Sequence, residues 1–401
     1  MSAQVWNVWY NLDMKVRYGL FSYSTENIGD EVQSLAAKRF LPRVDYYFDR
    51  DDIDSTKIAD TDDEVRIIMN GWFTHRPENW PPKNPKIKPL LIAMHIEQDA
   101  LNGKVAEAFV NKQSKEFFKK HGPVGARNIP SYDLLKKNGI DTYFSGCVTL
   151  TLNPDKNVKR RDFVLAVDVS DDVFAEIKKR TGRTVLRIDT GRSPQFSDEE
   201  KFLMAKYWLF VYQSAHCVVT SRLHTMLPCL AFKTPVFAIS GRDPKRYAGL
   251  IELVRHSTEK EFLENANIFD FENPGENPKD YLEIRKELEK KCASFTGYDS
   301  NQSYLGETRI EELYEKTDFI QLFCRGINDS LKALLLEGDI EHLKKLCKAH
   351  EKKIKRLESE LLKKGDENTN LLREIEHLSN PSIKEASARL KEAVSRKIKK
   401  S

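Results

Sequence analysis

Short apolar runs alternate with amphipathic stretches along the first 300 residues of the chain. Each run is strand-sized and ends in a polar turn, and most are followed by apolar residues at helical spacing. Strand, turn and helix in repetition predict an α/β fold in which parallel sheets carry helices on both faces. The predicted strands are residues 16–21, 65–69, 89–95, 123–127, 142–152, 162–169, 184–188, 217–220 and 235–239. The predicted helices are residues 30–40, 104–120, 131–138, 171–180, 198–213, 223–232 and 280–291.

A polar, basic segment at residues 153–161 interrupts this alternation, and the strand–helix pattern then starts again. Because the segment contains Pro154, it also breaks regular structure. We therefore expect two Rossmann-like domains, residues 1–155 and residues 156–300, that face a cleft. Folds of this kind bind their ligands at the carboxyl ends of the strands, in the space between the domains.

The chain changes character after residue 300, where Lys, Glu and Leu dominate. Apolar positions between residues 343 and 361 follow a 3-4 spacing. This spacing predicts a helical or coiled-coil extension over residues 301–401 and makes a homodimer our expectation. Residues 383–400 form a basic stretch with a weak apolar face. We interpret the stretch as a solvated helix or tail, and the alternative is a basic helix that lies on an acidic membrane surface.

Composition limits the classes of protein that fit. The chain has 401 residues with 65 Lys and Arg against 61 Asp and Glu, a formal net charge of +4. This charge is too balanced to indicate a nucleic-acid partner. The six cysteines form no CxxC pair, so we expect reduced thiols rather than disulfides or a metal site. We find no signal-peptide pattern and no membrane-length apolar run, so we expect a cytoplasmic protein, peripheral at the inner face of the membrane if the basic stretch binds lipid.

The segment formed by residues 217–239 carries the strongest candidate site. An apolar strand ends near Ser221 and a helix begins near Leu223, so the turn lies where parallel folds bind ligands. The free amides of a helix start attract an anion, and Arg222 adds a planar, permanently charged fork that suits carboxylate or phosphate. His224 supplies a side chain that titrates near neutrality. Together these residues predict a site for a small phosphorylated anion, with Ser221 and Leu223 also in contact with the substrate.

This segment resembles the Arg-Leu-His motif of the polysaccharide pyruvyl transferase family, which is followed there by a helix and a strand that opens with Pro-Val, as here. Three further segments are similar to the family and occur in the same order along the chain. They are Asn27-Ile-Gly-Asp-Glu31, residues 67–72 and residues 124–140. The resemblance spans residues 15–295 and does not extend to the C-terminal extension.

Three positions depart from the family pattern. Asn128 stands where Asp is usual, Asn70 replaces the first residue of a Gly-Gly turn, and residues 145–150 replace a common Asp-Pro pair. The departures concern the N-terminal motifs, whereas Arg222 and His224 match the family.

The resemblance implies a two-domain fold of the glycosyltransferase type B (GT-B) kind, with the acceptor on the side of residues 1–155 and phosphoenolpyruvate on the side of residues 156–300. It implies a reaction of bacterial surface polysaccharide biosynthesis, for an exopolysaccharide or a capsule. In that reaction the pyruvyl group of phosphoenolpyruvate forms a cyclic ketal with two hydroxyls of one sugar. Phosphoenolpyruvate is then a co-substrate, and no separate cofactor or metal is expected. The expected acceptor is a hexose, either free or in a lipid-linked oligosaccharide.

Such a reaction needs cations for the donor, an acid for the methylene carbon and a base for the sugar hydroxyls. Arg222 is the expected donor-binding residue, and His224 is the expected acid or base. The other candidates are His95, as a second acid or base; Arg127 and Arg187, as further anion clamps; and Asn27 and Asp30, which shape the first turn and touch the acceptor. Arg242, Lys245 and Arg246 follow the strand at residues 235–239; we interpret them as part of a solvated loop, and the alternative is that they bind phosphate.

Two other functions stay open on the sequence alone. A glycosyltransferase of the same architecture that uses a nucleotide sugar would need an acidic residue for the ribose, and Glu252 or Glu259 could supply it. A non-catalytic assembly factor would use the helical extension to organise a polysaccharide machine. It would tolerate the loss of Arg222 and His224, which the enzyme would not.

Overall fold

The computed structural model describes residues 15–190, 196–240 and 244–309, together with residues 352, 355 and 356. The chain forms two compact units, Met1–Asn328 and Asp329–Ser401. In the second unit the three described residues are helical and exposed. Apart from those three positions, the coiled-coil spacing predicted at residues 343–361 and the basic stretch at residues 383–400 lie outside the described residues. None of the helices in the described ranges is long and apolar enough to cross a membrane.

The first unit contains two parallel sheets, and the first of them has six strands. Its strands are β1 (Val16–Ser22), β2 (Tyr46–Asp49), β3 (Glu64–Trp72), β4 (Ile87–His95), β5 (Val124–Ala126) and β6 (Thr142–Phe144). The helices among them are α1 (Gly29–Lys38), α2 (Lys104–Val110), α3 (Lys112–His121) and α4 (Ile129–Lys137). The strand order is β2-β1-β3-β4-β5-β6, and every pair is parallel.

The second sheet has five parallel strands. They are β7 (Phe163–Val167), β8 (Thr184–Ile188), β9 (Cys217–Thr220), β10 (Val236–Ser240) and β11 (Arg255–Thr258), in the order β11-β10-β9-β7-β8. The helices are α5 (Asp171–Arg180), α6 (Asp198–Ser214), α7 (Leu223–Ala231), α8 (Glu259–Glu264) and α9 (Tyr281–Thr296). In both sheets the first strand lies between the second and the third, so the chain order reverses beside it. Such a reversal opens a crevice at the carboxyl ends of the strands, and parallel folds bind ligands there.

Apolar strands and buried helices hold the two sheets together. All five residues of β7 are buried. This burial fits a parallel sheet with both faces covered, which needs no alternation of polar residues. Helix α1 is buried from Gly29 to Ala37 and packs against α6 and α7 of the second sheet. Because α1 follows β1 directly, this packing brings the carboxyl end of β1 close to the second sheet.

Two predicted elements differ from the structure in more than the position of an end. The single helix predicted at residues 104–120 is two helices, because the side chain of Asn111 accepts a hydrogen bond from the backbone nitrogen of Ser114 (2.8 Å) and caps a new start. The strand predicted at residues 142–152 ends at Phe144 and is followed by a 3₁₀ turn at Val148–Thr151. Strands β2 and β11 and helix α8 were not predicted.

Helix α9 follows the second sheet in the chain but bonds to the first. The Arg66 guanidinium donates to the carbonyl of Phe295 (3.0 Å), and the Tyr18 hydroxyl donates to the carbonyl of Thr296 (3.5 Å). Arg39 at the end of α1 forms an ion pair with Glu289 (3.1 Å). The domain boundaries at residues 155 and 300 stay predictions.

A buried arginine anchors the loop after β2 to α1. The side chain of Arg50 is fully buried and pairs with Asp51 (2.7 Å) and Asp30 (3.3 Å). Its guanidinium also lies 5.0 Å from the ring centre of Tyr23. The cation compensates one of the two carboxylate charges, so removing it leaves two buried negative charges without a partner.

We expect Arg50→Ala to lower the free energy of unfolding by about 3–5 kcal/mol, because Asp30 and Asp51 would stay buried without their partner. Arg76 is the matched control, since its pair with Asp52 is exposed and its nitrogen–oxygen distance is 3.7 Å. Arg76→Ala should cost no more than about 1 kcal/mol. Urea unfolding of the three proteins measures both values, and equal losses in the two variants would contradict a structural role for the buried pair.

Candidate active site

The turn after β9 has the predicted strand–turn–helix form. Arg222 is the N-cap residue of α7 with an extended backbone, and its backbone nitrogen donates to the hydroxyl of Thr220 (2.9 Å). Leu223 begins the helix and is buried, and His224 follows it. The Ser221 hydroxyl donates to the carbonyl of Asp168 (2.5 Å), which fixes the turn to the end of β7. The first turn of α7 therefore faces the carboxyl edge of the sheet with its amide groups.

This turn forms one wall of a recess to which both sheets contribute. Its lining residues are Asn27, Ile28, Gly29 and Arg127 from the first sheet, and Thr190, Tyr212, Arg222, Leu223, His224, Thr225, Arg246 and Tyr247 from the second. The backbone nitrogen of Ile28 donates to the carbonyl of Thr190 (3.2 Å), so the two sets of loops are in contact. Of the predicted residues, the recess brings together Asn27, Arg127, Arg222, Leu223 and His224.

Gly29 allows α1 to approach the histidine of the recess. A Cβ atom at this position would lie 2.7 Å from Nδ1 of His224 and 3.1 Å from its Cβ. The side chain of Asn27 accepts a hydrogen bond from the Gly29 nitrogen (3.1 Å) and so holds the turn before α1. Packing against His224 thus explains why glycine occupies position 29, next to the turn that Asn27 holds.

We expect Gly29→Ala to destabilise the protein by about 1–3 kcal/mol, because the new methyl group would overlap the His224 ring. Alanine is otherwise the better helix former by about 1 kcal/mol, so a loss of stability would report the clash alone. Gly182→Ala is the control, since a Cβ there meets no atom within 4 Å. Thermal unfolding of both variants tests this contact, and a neutral Gly29→Ala would argue against it.

Arg127 places a buried positive charge in the wall of the recess. Arg127 is only 1% exposed, and one of its terminal nitrogens donates to the side-chain oxygen of Gln33 (3.4 Å). Its Nε atom has no hydrogen-bond partner, and no carboxylate in the described ranges lies within ion-pair distance of it. Burial lowers the pKa of Arg127 to about 10, so the guanidinium remains charged at neutral pH.

His224 is held neutral by these surroundings. Burial, followed by the charges of Arg127 and Arg246, keeps the pKa of His224 well below its usual range. Its Nε2 atom is buried and has no hydrogen-bond partner among the described residues. A buried polar atom without a partner is uncommon in folded proteins and marks a place where a ligand can bind.

His95 is the last residue of β4, in the same sheet as Arg127, and is not among the lining residues. Its Nε2 atom lies 3.1 Å from a carboxylate oxygen of Glu97, and its Nδ1 atom has no partner in the described part of the chain. Burial and the charge of Arg127 lower the pKa of His95 to about 4, although Glu97 acts in the opposite direction. His95 is therefore neutral at pH 7, as is His224.

Strand β4 is irregular just before His95. The pairing of β3 with β4 passes from Met69–Leu91 to Gly71–Met94, so the register shifts between them. Ala93 has a positive φ of 54°, and its nitrogen donates to the hydroxyl of Ser145 (3.0 Å). Bulges of this kind redirect side chains beside active sites. The alternation of apolar residues in β4 gave no signal of it.

Three predicted residues have other partners. Arg187 pairs with Asp171 and donates to the carbonyl of Val169 (2.7 Å), so it is turned towards α5 and is not among the lining residues. Asp30 is buried in its pair with Arg50. Ser221 uses its hydroxyl to hold the backbone of the turn. Substrate contacts for these three residues stay predictions.

Arg246 is a lining residue that we interpreted from the sequence as part of a solvated loop. Its guanidinium lies 4.5 Å from the ring centre of Trp72, and its carbonyl accepts a hydrogen bond from the Asn128 side chain (3.0 Å). Arg246 follows β10, the neighbour of β9. Its position after a predicted strand was the feature of the sequence that could have assigned it to the site. Arg242 lies outside the described residues. Nowhere in the described ranges do three or more His, Cys, Asp or Glu side chains form a group that could hold a metal ion.

The family model for polysaccharide pyruvyl transferase matches residues 27–243, more than half of the chain. The chain belongs to the polysaccharide pyruvyl transferase family. The match runs from the Asn27 turn past α7 and includes every lining residue of the recess except Arg246 and Tyr247. Membership of this family indicates a transferase of polysaccharide pyruvylation in general terms.

Solved structures with distant similarity include a functionally uncharacterised protein from Klebsiella pneumoniae subsp. pneumoniae NTUH-K2044, with a TM-score of 0.39 and 13% identity over 62% of this chain and 93% of that one. UDP-GlcNAc 2-epimerase from Methanocaldococcus jannaschii has a TM-score of 0.38 and 9% identity over 69% and 98%. The wall teichoic acid polymerase TagF has a TM-score of 0.33 and 11% identity over 76% and 89%. These similarities are too distant to bear on function. No curated protein matches the chain significantly.

The low pKa of His95 has a consequence for stability. An unfolded histidine binds a proton below about pH 6.5, whereas folded His95 does so only near pH 4. Between these values the unfolded state binds more protons, so the free energy of unfolding should fall as the pH falls from about 6.5 to about 4. His95→Gln should flatten this dependence. Urea unfolding at a series of pH values compares the two proteins, and identical slopes would contradict a neutral, buried His95.

Proposed function

We propose that the protein transfers the pyruvyl group of phosphoenolpyruvate onto two hydroxyls of one sugar, giving a cyclic ketal and phosphate. The observation that carries this proposal is the recess itself. Arg127, Arg222 and Arg246 line it together with the neutral His224, and Arg127 has no carboxylate partner among the described residues.

The charge of the recess suits the donor. Phosphoenolpyruvate carries a carboxylate and a phosphate whose second proton is lost near pH 6, so its charge approaches −3 at neutral pH. Arginine forks bind both groups in a planar, two-bond manner, and the free amides of the first turn of α7 add a further anion-binding element. Three guanidinium groups would balance the donor, and the donor would supply the counter-ion that Arg127 lacks.

The reaction also needs protons moved in a balanced way. The methylene carbon gains one proton and becomes a methyl group, both sugar oxygens bond to the neighbouring carbon, and the bond from that carbon to the phosphate oxygen breaks. The two sugar hydroxyls release two protons. One of them restores the proton that the acid gave to the methylene carbon, and the other leaves with phosphate or solvent. His224 lines the recess and is neutral in the empty site, and it is proposed to move a proton once the negative charge of the bound donor offsets the neighbouring arginines. His95 is proposed as the second proton-transfer group.

The wider organisation follows from the same proposal. We infer a GT-B-like arrangement in which the two Rossmann-like domains, divided near residues 155 and 300, hold the substrates in the cleft between them. Residues on both sheets line the recess, which supports this arrangement.

The acceptor is proposed to be a hexose, free or lipid-linked, on the side of the first domain, in bacterial surface polysaccharide biosynthesis. Phosphoenolpyruvate acts as a co-substrate without a separate cofactor. We also propose that the helical extension forms a coiled coil, that the protein is a homodimer, and that it contacts the inner face of the membrane peripherally.

Thermal unfolding in the presence of ligands tests the donor. Phosphoenolpyruvate at 100 times its Kd should stabilise the protein by about 2.7 kcal/mol, and Arg222→Ala should remove most of this effect. Arg76→Ala is the matched control, since its guanidinium forms an exposed pair with Asp52 and does not line the recess, and it should keep the effect. Stabilisation by nucleotide sugars alone would favour a glycosyltransferase instead. Equal loss in both arginine variants would contradict the assigned site.

A further inference from the structure

Asp168 lies beside Arg222 at the point where the strand order of the second sheet reverses. It follows β7 directly, and Arg222 follows β9 by two residues. The last pair between these strands joins Val167 to Thr220. Both side chains therefore emerge at the carboxyl edge of the sheet, beside the recess.

The backbone of Asp168 is held in a conformation that L-residues rarely adopt. Its φ is 50°, in the left-handed region. Its nitrogen donates to the carbonyl of Ile188 (3.0 Å), and its carbonyl accepts from the Ser221 hydroxyl (2.5 Å). Its carboxylate accepts from the nitrogen (3.2 Å) and the hydroxyl (2.5 Å) of Thr190. Strain of this kind persists where the surrounding structure holds a group in place, and it concentrates at functional sites.

The contact with Arg222 uses one edge of the guanidinium. Nε of Arg222 lies 2.9 Å from Oδ2 of Asp168. In the part of the chain that the structure describes, its two terminal nitrogens donate to no other residue. The side chain is 46% exposed, so without Asp168 it would be free to sample many rotamers. The edge-on contact leaves the fork of terminal nitrogens, which is the part that binds a carboxylate or phosphate with two bonds.

The position of a carboxylate at this point needs an explanation, because its charge repels an anionic donor. A pair that served only to neutralise Arg222 would weaken the site. If Asp168 instead orients Arg222, the attraction between Arg222 and the donor is weaker, but the guanidinium has a fixed geometry. That fixed geometry lowers the entropy cost of donor binding. The rigid support of Asp168 by Thr190 and Ser221 favours orientation, since a counter-ion alone would need no fixed backbone.

We propose that Asp168 is a positioning residue that holds Arg222 by its Nε edge and aims its terminal nitrogens at the anionic group of the donor. The inference rests on the proposed function, in which that donor is phosphoenolpyruvate.

A double-mutant cycle with calorimetric titration of phosphoenolpyruvate tests the inference. Asp168→Asn keeps the size of the side chain but removes its charge and one acceptor, and it should weaken donor binding roughly tenfold. In an Arg222→Ala background the same change should have no further effect, because Asp168 acts through Arg222. Asp171→Asn is the control: Asp171 is the exposed partner of Arg187, and its loss should leave the Kd unchanged.

A second variant covers the case in which Asp168→Asn unfolds. Asp168→Glu keeps the charge but shifts the carboxylate by one methylene, so positioning predicts weaker binding and a simple charge effect predicts wild-type binding. Tighter donor binding by Asp168→Asn would overturn the inference, since repulsion would then be the whole role. Equal loss with and without Arg222 would also overturn it. If the wild-type protein binds phosphoenolpyruvate and Asp168→Asn binds it equally well, this inference alone is overturned. If the wild-type protein does not bind phosphoenolpyruvate, the proposed function is overturned together with it.

Discussion

The buried guanidinium of Arg127 sets the properties of the recess. Arg50 is equally buried on the same sheet, but two carboxylates surround it and the cluster is structural. Arg127 has only an amide oxygen of Gln33 as a described side-chain partner. Keeping a charge out of water without a counter-ion is costly. The protein therefore keeps a positive potential in the recess at the expense of stability. Burial and, after it, this potential lower the pKa values of His95 and His224 and keep both neutral.

Close contacts between the two sheets keep this potential in place. Gly29 lies against His224, and Ile28 bonds to Thr190, so the turn before α1 seals one side. On the other side the amide group of Asn128 donates to the carbonyl of Arg246, while its oxygen caps α4. An aspartate could form the cap but could not donate to the carbonyl. The departure of Asn128 from the family pattern thus ties Arg246 to the first sheet.

Local pattern in the sequence predicted most elements but not their order in the sheets. Residues 171–180, 184–188 and 217–220 have the predicted bounds, since apolar spacing and the Ser170 cap mark them clearly. Strand β2 was missed because it is four residues long and has only one buried residue. Arg222 and His224 could be found because one short motif carries both.

Strand order also explains why the remaining arginines were assigned incompletely. Arg187 lies on β8, an edge strand on the far side of β7 from the reversal point. Arg246 follows β10, which adjoins β9. Nothing in either segment reveals its neighbours, because strand pairing is decided by long-range packing. A cation near the end of a strand is thus insufficient evidence for a site until the sheet order is known.

The neutral histidines constrain how the proposed reaction can proceed. In the empty recess His224 has too low a pKa to hold a proton at neutral pH, so it cannot yet act as an acid. The negative charge of a bound donor would offset Arg127 and Arg246, the two charges that oppose protonation most, and would raise that pKa. The proton for the methylene carbon would then become available only with the donor in place. An acid that forms only in the donor complex would link donor recognition to chemistry through the same arginines.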